Sequence, residues 1–268
     1  MPELPEVETI KNELIPYVVG HRITGVTLFW NKIVRQPSPE EFRSRITGQE
    51  IAEVTRRGKY LIFNLTNGEI LIIHLRMSGS LLLNPPDKFT RAILHLDKGI
   101  NLYFRDPRKF GAMWLVTDAS SVTSRLGPEP LEAGFTPKTL AQRLANRTAS
   151  IKALLCDQTF IAGIGNMYAD EALFAARIHP LRPGSSLSQE EVERLHHAIR
   201  QVLLSAINDK GASIINYYRP SGQLGTAHFQ FKVAHRGGKA CSLCGTPIQR
   251  LPIRNRGSYF CPKCQPRS

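Results

Sequence analysis

The sequence has few acidic residues and no long apolar run. Lys and Arg total 35 against 22 Asp and Glu, which gives a formal net charge of +13. This excess of positive charge favours a polyanionic partner such as nucleic acid or anionic lipid. No stretch approaches the roughly 18 apolar residues of a membrane helix, and Glu3, Glu6 and Glu8 lie where a signal peptide has a basic region. We therefore expect neither a membrane segment nor secretion, and we place the protein in the cytoplasm.

Cysteine is also scarce: the chain has five, and four of them lie between residues 241 and 264. Cys241-x-x-Cys244 is followed, after sixteen residues, by Cys261-x-x-Cys264. Two such pairs are typical of one tetrahedral, structural zinc site, because each turn presents two thiolates. The alternative is two disulfides, which a chain without a signal peptide disfavours.

A length of 268 residues with 42% hydrophobic composition suffices for one large domain or two ordinary ones with proper cores. In the first 115 or so residues, Val7, Ile10 and Leu14 predict an amphipathic helix over residues 5–15. Eight short strand-like runs follow, two pairs of them joined by the turns Asn67-Gly68 and Asp97-Lys98-Gly99. This pattern predicts an antiparallel β-sandwich or barrel.

Beyond a linker-like stretch rich in glycine and proline, the pattern becomes helical. A helix is expected from Asn166 to about Arg177, after the small-residue turn at 162–165. Ser188 and Glu191 form a capping box ahead of a further amphipathic helix that Gly211 ends. From Gly211 onward the chain has nine Lys or Arg and no Asp or Glu, which suits a phosphate backbone. The alternative is a solvated basic tail, but the cysteine spacing implies order.

The residue after Met1 is proline, and a small second residue permits removal of the initiator. Pro2 would then carry a free secondary amine. An α-amine titrates near pH 7.7–8.0, so roughly ten to twenty percent is neutral at pH 7, whereas an ordinary lysine is almost wholly protonated. Attack of such an amine on a sugar C1′ gives a cationic iminium that acidifies the neighbouring C2′ hydrogen. The alternative is a proline that merely precedes a helix.

Five motifs, in order, resemble those of the formamidopyrimidine-DNA glycosylase family, whose bacterial members repair oxidised purines. They are Met1–Glu8, Arg57–Leu61, His74–Gly79, Asp106–Gly111 and Gly163–Ala169, and the terminal four-cysteine finger accompanies them. The resemblance extends along the whole chain. It implies an α+β protein with an N-terminal antiparallel β-sandwich domain and a leading helix. A helical helix–two-turn–helix domain and a four-cysteine zinc finger would follow.

The resemblance also assigns boundaries and catalytic residues. With the glycine- and proline-rich stretch 124–138 as a linker, residues 1–123 would form the catalytic domain, 139–236 the helical DNA-binding domain and 237–268 the finger. By resemblance, Pro2 is the nucleophile that forms the Schiff base and Glu3 the general acid that opens the sugar ring. Lys59 would donate a proton and grip a phosphate during β-elimination. Arg256 matches the finger arginine to which a proton-donor role in δ-elimination is assigned, but its high pKa suits a phosphate clamp better.

A stacked base must be extruded before attack, and the resemblance implies residues that fill the gap. Met77 and Phe110 would wedge into the stack, and Arg108 would hydrogen-bond the orphaned base. For Met77 and Phe110 alone, core packing is the alternative. Phosphate contacts are expected at Asn166, with further positive charge from Arg147 and Lys152. In the family, the stretch 213–229 includes a loop that closes over the extruded base.

The sequence departs from the family pattern in several places. Phe89 stands where the family often has a DNA-contacting histidine, Ala234-His235 replaces Tyr-Gly, and Arg147 replaces a common lysine. Leu4 favours the oxidised-purine branch over the branch that acts on oxidised pyrimidines. The resemblance thus implies a monomeric, bifunctional DNA glycosylase and abasic-site lyase. It would act on duplex DNA carrying oxidised bases or abasic sites, with one structural Zn²⁺ and in association with the bacterial nucleoid.

Two rival functions remain open. One is the same chemistry with a preference for oxidised pyrimidines, which excision assays on defined lesions separate from the first. The other is a zinc-finger protein that binds DNA without catalysis, in which the N-terminus only caps a helix. A covalent adduct trapped by borohydride discriminates the enzyme from the binder.

Overall fold

The computed structural model describes residues 1–85, 87–214 and 217–267. Contacts between Cα atoms divide the chain into two compact units. The first unit comprises Met1–Ser124 and Ile207–His228, and the second comprises Arg125–Ala206 and Phe229–Ser268. The segment 207–228 therefore leaves the helical region and packs with the N-terminal residues.

The first unit is a β-sandwich with short helices. Its elements are α1 (Leu4–Val18), β1 (Ile23–Leu28), β2 (Val34–Gln36), α2 (Pro39–Ile46), β3 (Ile51–Arg57), β4 (Tyr60–Leu65), β5 (Ile70–His74), β6 (Ser80–Leu82), β7 (Thr90–Leu96), β8 (Asn101–Arg105), β9 (Ala112–Val116) and α3 (Ser120–Thr123). One sheet has the order β1-β7-β8-β6 and the other β2-β9-β5-β4-β3. One hydrophobic core joins α1 to both sheets. The predicted fold class is confirmed.

Turn chemistry sets the sandwich's register. Gly68 adopts φ +85° between β4 and β5, and Gly99 adopts φ +77° between β7 and β8. Both strand pairs are antiparallel, as the two turns predict. The short β2 pairs parallel with β9 and was not predicted, because three residues leave no alternation to detect.

The helix α1 begins where the sequence supplies its first-turn signals. Pro5 lies in the first turn, where its missing N–H costs nothing, and the Glu6 carboxylate accepts a 2.7 Å hydrogen bond from the Glu3 amide. The apolar residues at three- and four-residue spacing, Val7, Ile10 and Leu14, are fully buried against the sandwich.

The second unit is helical with a C-terminal hairpin. Its elements are α4 (Pro137–Leu144), α5 (Ile151–Leu155), α6 (Asn166–Ala175), α7 (Gln189–Asn208) up to Ala206, β10 (Gln249–Ile253) and β11 (Arg256–Phe260). Ser188 and Glu191 form the expected reciprocal cap, with the Glu191 amide donating to Ser188 Oγ and the Ser188 amide donating to Glu191 Oε2. Across the described residues, none of the helices is long and apolar enough to cross a membrane.

Candidate functional site

The N-terminal end of α1 holds the first two predicted catalytic residues. Met1 is half exposed, whereas Pro2 is buried and the Glu3 residue is only 2% exposed. Glu3 is the extended N-cap residue of α1, with φ −107° and ψ −171°. Glu6, fully buried, binds the Glu3 amide through Oε2 and the Ala212 amide through Oε1, the latter at 2.8 Å. The start of α1 is thus fixed by one carboxylate with two backbone donors.

Segment 207–228 comes this close to α1 because Gly211 has no side chain. A Cβ on Gly211 would lie 2.9 Å from both Cγ and Oε1 of Glu6, and its φ is +79°. Only glycine combines that approach with a left-handed backbone at low cost.

Lys59 lies in the tight turn between β3 and β4 and is 3% exposed. The turn is secured through Arg56, whose Nη1 donates to the Gly58 carbonyl at 2.9 Å and whose Nε donates to Glu8 of α1 at 2.8 Å. This ion pair links the Lys59 turn to α1, the helix that follows Pro2 and Glu3.

His74 is a residue of this region that the sequence analysis did not assign a role. It ends β5 opposite Tyr60, and its Nδ1 accepts a 2.9 Å hydrogen bond from the Arg76 amide. Burial, helped by the nearby charges of Arg76 and Lys59, lowers the pKa of His74 to about 3. The imidazole is therefore neutral at physiological pH. A histidine ending an otherwise aliphatic strand was the signal available in the sequence.

The predicted gap-filling side chains project from two loops. Met77 is 46% exposed and Phe110 is 45% exposed, so neither belongs to the core. Arg108 is exposed as well, and its guanidinium lies 4.8 Å from the centroid of the Phe110 ring. Large exposed apolar side chains in ordered loops indicate a binding surface.

One buried carboxylate, that of Asp106, shapes both loops. Its Oδ1 accepts hydrogen bonds from Ser78 Oγ at 2.5 Å and from the Arg108 amide at 3.2 Å. Its Oδ2 accepts from the Gly111 amide at 2.7 Å. Asp106 thus ties the loop that carries Met77 to the loop that carries Arg108 and Phe110. It lies within a recognised motif, but no spacing argument identified this role.

In the second unit, Lys152 is buried rather than presented on the surface. It is 1% exposed, and its Nζ donates to the Asn166 carbonyl and to Asp170 Oδ1, each at 2.5 Å. Burial raises the pKa of the Asp170 carboxyl to about 7, and the Lys152 ammonium opposes that rise. Asn166 Nδ2 donates at 2.8 Å to the carbonyl of Gly257, the residue after Arg256. A direct role of Lys152 in DNA contact stays a prediction.

Beside Lys152 lies a cavity of about 350 Å³. Arg254, Arg256 and Lys152 line it, together with Cys156, Asp157 and other residues of α5 and β10. Arg256 is exposed at the start of β11, after the turn at Arg254 and Asn255, both of positive φ. Arg147 is exposed at the loop before α5. Two arginines at one opening, Arg254 and Arg256, favour an anionic group such as phosphate.

The four finger cysteines form one cluster. The Sγ atoms of Cys241, Cys244, Cys261 and Cys264 all lie within 4.8 Å of one another, and none forms a disulfide. The Cys244–Cys261 and Cys241–Cys264 sulfur distances are 3.4 and 3.9 Å. A tetrahedron with Zn–S bonds of about 2.3 Å has edges of about 3.8 Å, so the donor set fits one Zn²⁺ and excludes the disulfide alternative.

The helical part of the unit anchors the finger. Glu171, on α6, accepts hydrogen bonds from the consecutive amides of Lys232, Val233 and Ala234 at 2.8–3.1 Å. Gln265 Nε2 donates at 2.8 Å to the Ile178 carbonyl. These bonds satisfy buried polar groups, and they fix the cysteine cluster relative to α6.

Comparison with known proteins identifies three family segments in the chain. Residues 1–113 match the formamidopyrimidine-DNA glycosylase N-terminal domain, and residues 126–217 match the formamidopyrimidine-DNA glycosylase H2TH domain. Residues 238–267 match the zinc finger found in FPG and IleRS.

Curated relatives are similar over the full chain. The formamidopyrimidine-DNA glycosylase of Chloroflexus aurantiacus is 48% identical, covering 99% of this chain and 98% of its own. That of Symbiobacterium thermophilum is 45% identical, covering 99% and 90%.

Solved structures are also similar over nearly the full length of the chain. The MutM (Fpg) protein of Thermus thermophilus superposes with a TM-score of 0.92 at 40% identity, over all of both chains. A Lactococcus lactis FPG mutant in complex with a Fapy-dG-containing DNA gives 0.93 at 35% identity, covering 99% of this chain and 100% of the other.

Proposed function

The chain belongs to the formamidopyrimidine-DNA glycosylase family, and we propose that it attacks the sugar of a damaged nucleotide with the secondary amine of Pro2. It is a base-excision DNA glycosylase and abasic-site lyase. Removal of the half-exposed Met1 frees the Pro2 nitrogen at the end of α1, directly beside Glu3. The burial of Pro2 and Glu3 at an ordered helix start is the observation that carries the assignment.

The proposed reaction begins with displacement of the base. The Pro2 nitrogen forms a bond to C1′ while the C1′–base bond breaks, and the base leaves with that electron pair and takes up the proton that the Pro2 nitrogen loses. Glu3 gives its proton to the ring oxygen as the C1′–O bond opens, which leaves an iminium between nitrogen and C1′. The iminium acidifies C2′, so loss of that proton expels the 3′ phosphate, and a second elimination expels the 5′ phosphate.

Lys59, Asn166 and Arg256 are proposed to hold the phosphates through these steps. An ammonium and a guanidinium supply charge, and an amide at the start of α6 supplies a hydrogen-bond donor. Arg256 acts as a clamp, because a guanidinium does not give up its proton at neutral pH. Arg147 and Lys152 add positive charge to the same unit.

Met77, Arg108 and Phe110 are proposed to occupy the space that the extruded nucleotide leaves. All three side chains are exposed, which supports this role, because side chains that pack in the core would be buried. The planar guanidinium of Arg108 lies against the Phe110 ring, and because Arg108 is exposed it is available for hydrogen bonds to the opposite base. Oxidised purines are the proposed substrates, which Leu4 also favours.

Zinc has a structural role. Cys241, Cys244, Cys261 and Cys264 would hold one ion, and four thiolates leave no position for a catalytic water. The ion would stabilise the hairpin β10–β11, which carries Arg256. All of the proposed residues come from one chain, so we expect a monomer, and we place it with the nucleoid in the bacterial cytoplasm.

The role of Glu3 is tested by Glu3→Gln. We expect this variant to lose at least about 100-fold in the rate of 8-oxoguanine excision, because general acid catalysis contributes that much. Cleavage at a preformed abasic site should persist, since that sugar already opens to an aldehyde without help. Glu40→Gln, an exposed carboxylate in α2, serves as the control and should match wild type in both assays. Equal loss in the two assays would contradict the assignment of Glu3 as the acid that opens the ring.

A further inference from the structure

The turn formed by residues 217–223, here called the docked turn, is fastened to the sandwich at several independent points. Arg219 donates through Nε to Glu13 of α1 at 2.7 Å. The Leu83 amide, just after β6, donates to the Pro220 carbonyl at 2.9 Å. Asn84 Nδ2 donates to the Ser221 carbonyl, also at 2.9 Å. These contacts all lie within the first unit.

A further contact in this region is a cation–π interaction of Arg105 with two aromatic rings. The guanidinium of Arg105, at the end of β8, lies 5.0 Å from the centroid of Phe89 and 5.9 Å from the centroid of Tyr218. Phe89 is the position at which the family often has histidine. Tyr218 belongs to the docked turn, so the stack joins that turn to β8 through one cation.

The position of the Phe89 ring is set by its surroundings. Asp87 Oδ1 accepts a 2.8 Å hydrogen bond from the Phe89 amide, and Oδ2 accepts a 2.7 Å bond from Arg105 Nε. The Phe89 carbonyl in turn accepts a 2.9 Å bond from the Asp106 amide, next to Arg105 in the chain. Asp87 therefore positions the Phe89 backbone and the Arg105 guanidinium together, which places the Phe89 side chain beside that cation.

We propose that Phe89 and Tyr218 determine specificity for a base-bearing nucleotide by clasping Arg105 and holding the docked turn in place before DNA binds. The inference rests on the proposed function. The chain that leads to this turn is also held at Ala212 by Glu6, three residues from Glu3. Pro2 and Glu3 lie at the N-terminal end of α1, so a base bonded to the carbon that Pro2 attacks must come close to that end. An abasic sugar has no base for the segment to contact.

The experiment compares two reactions on matched duplexes: excision of 8-oxoguanine and cleavage at a preformed abasic site. The variants Phe89→Leu and Tyr218→Leu keep apolar bulk but remove the aromatic face. Each should lower single-turnover excision about two- to five-fold, the equivalent of one exposed cation–π contact, with abasic cleavage unchanged. Tyr218→Phe keeps the ring and should retain wild-type excision.

Tyr17→Ala, a half-exposed tyrosine of α1 outside this cluster, is the control for loss of a surface ring. Hydrogen exchange without DNA supplies a direct readout of docking. The amides of Arg219 and of residues 221–223 should exchange faster in Tyr218→Leu and at the wild-type rate in Tyr218→Phe and Tyr17→Ala. Equal loss in both cleavage reactions, or unchanged excision and exchange in both leucine variants, would overturn the proposal. If wild type cleaves neither duplex, the proposed function itself fails, and exchange alone then decides whether the stack holds the turn.

Discussion

Two buried carboxylates of this protein have supporting roles that cannot be predicted from the residues next to them in the sequence. Asp106 supports the two loops of the gap-filling residues, and Glu6 supports the start of α1. Motif resemblance marked Pro2, Glu3 and Lys59 directly, because their residue types are tied to the reaction. The supporting carboxylates could not be assigned in the same way, since their hydrogen-bond partners lie far away in the sequence or on the backbone.

His74 gives a residue-scale prediction about pH. Its folded pKa of about 3 lies below the unfolded value of about 6.5, so the unfolded state binds more protons between these values. The stabilisation from the neutral imidazole is complete above pH 6.5 and is lost progressively as pH falls toward 3. The free energy of unfolding of wild type should therefore fall, relative to His74→Asn, by about 1.4 kcal/mol per pH unit below pH 6.

Denaturant unfolding of both proteins between pH 7 and pH 5 measures this difference. His197→Asn, at an exposed histidine of α7, is the control and should not reproduce the change. Parallel pH profiles for wild type and His74→Asn would show that His74 titrates normally.

At the scale of elements, the sequence predicted those with strong periodicity or turn signals. The two hairpins have the turns that the sequence predicted, α6 begins at Asn166 as expected, and α7 follows the predicted cap at Ser188. The helix α2 was missed, although Ser38 caps it and Pro39 begins it, because eight residues with two buried positions give a weak pattern. Ion pairs between elements, such as that of Asp170 with Lys152, depend on tertiary structure and produce no periodic pattern in the sequence.

The junction of α5 and α6 yields a prediction at this scale. Lys152 and Asp170 are both 1% exposed, so Asp170→Asn leaves a buried ammonium without its counter-charge. We expect this change to destabilise the second unit by about 3–5 kcal/mol. Hydrogen exchange of the α5 and α6 amides reports the loss of local stability.

An exposed ion pair provides the matched control for that experiment. Glu190 and Arg194 form an i, i+4 pair on α7, with the Glu190 side chain 83% exposed. Glu190→Gln should cost less than about 1 kcal/mol, because solvent screens the pair. If Asp170→Asn is as mild as Glu190→Gln, the buried pair does not hold α5 to α6.

For the whole molecule, composition indicated a polyanionic partner and the cysteine spacing indicated a metal. The structure brings the four thiols together as one metal ion requires, and proteins similar to this chain have been solved in complex with DNA. The domain limits at 123/124, 138/139 and 236/237 stay a prediction. The predicted domains are each one continuous stretch of chain, whereas each compact unit of the structure consists of two stretches, because Ile207–His228 packs with the N-terminal residues. The packing of this segment depends on Gly211 and on the buried Glu6. These residues are about 200 positions apart in the chain, so no local sequence pattern predicts their contact.

The central chemical claim concerns the nitrogen of Pro2, and borohydride reduction during reaction with lesion-bearing DNA tests it most directly. We expect one covalent protein–DNA adduct, with peptide mass spectrometry locating the bond at an N-terminal Pro2 from which Met1 has been removed. A protein in which Met1 is retained, so that the Pro2 nitrogen stays in an amide bond, should give no adduct and no strand cleavage. Full cleavage by that blocked protein, or an adduct at Lys59 instead of Pro2, would contradict the account.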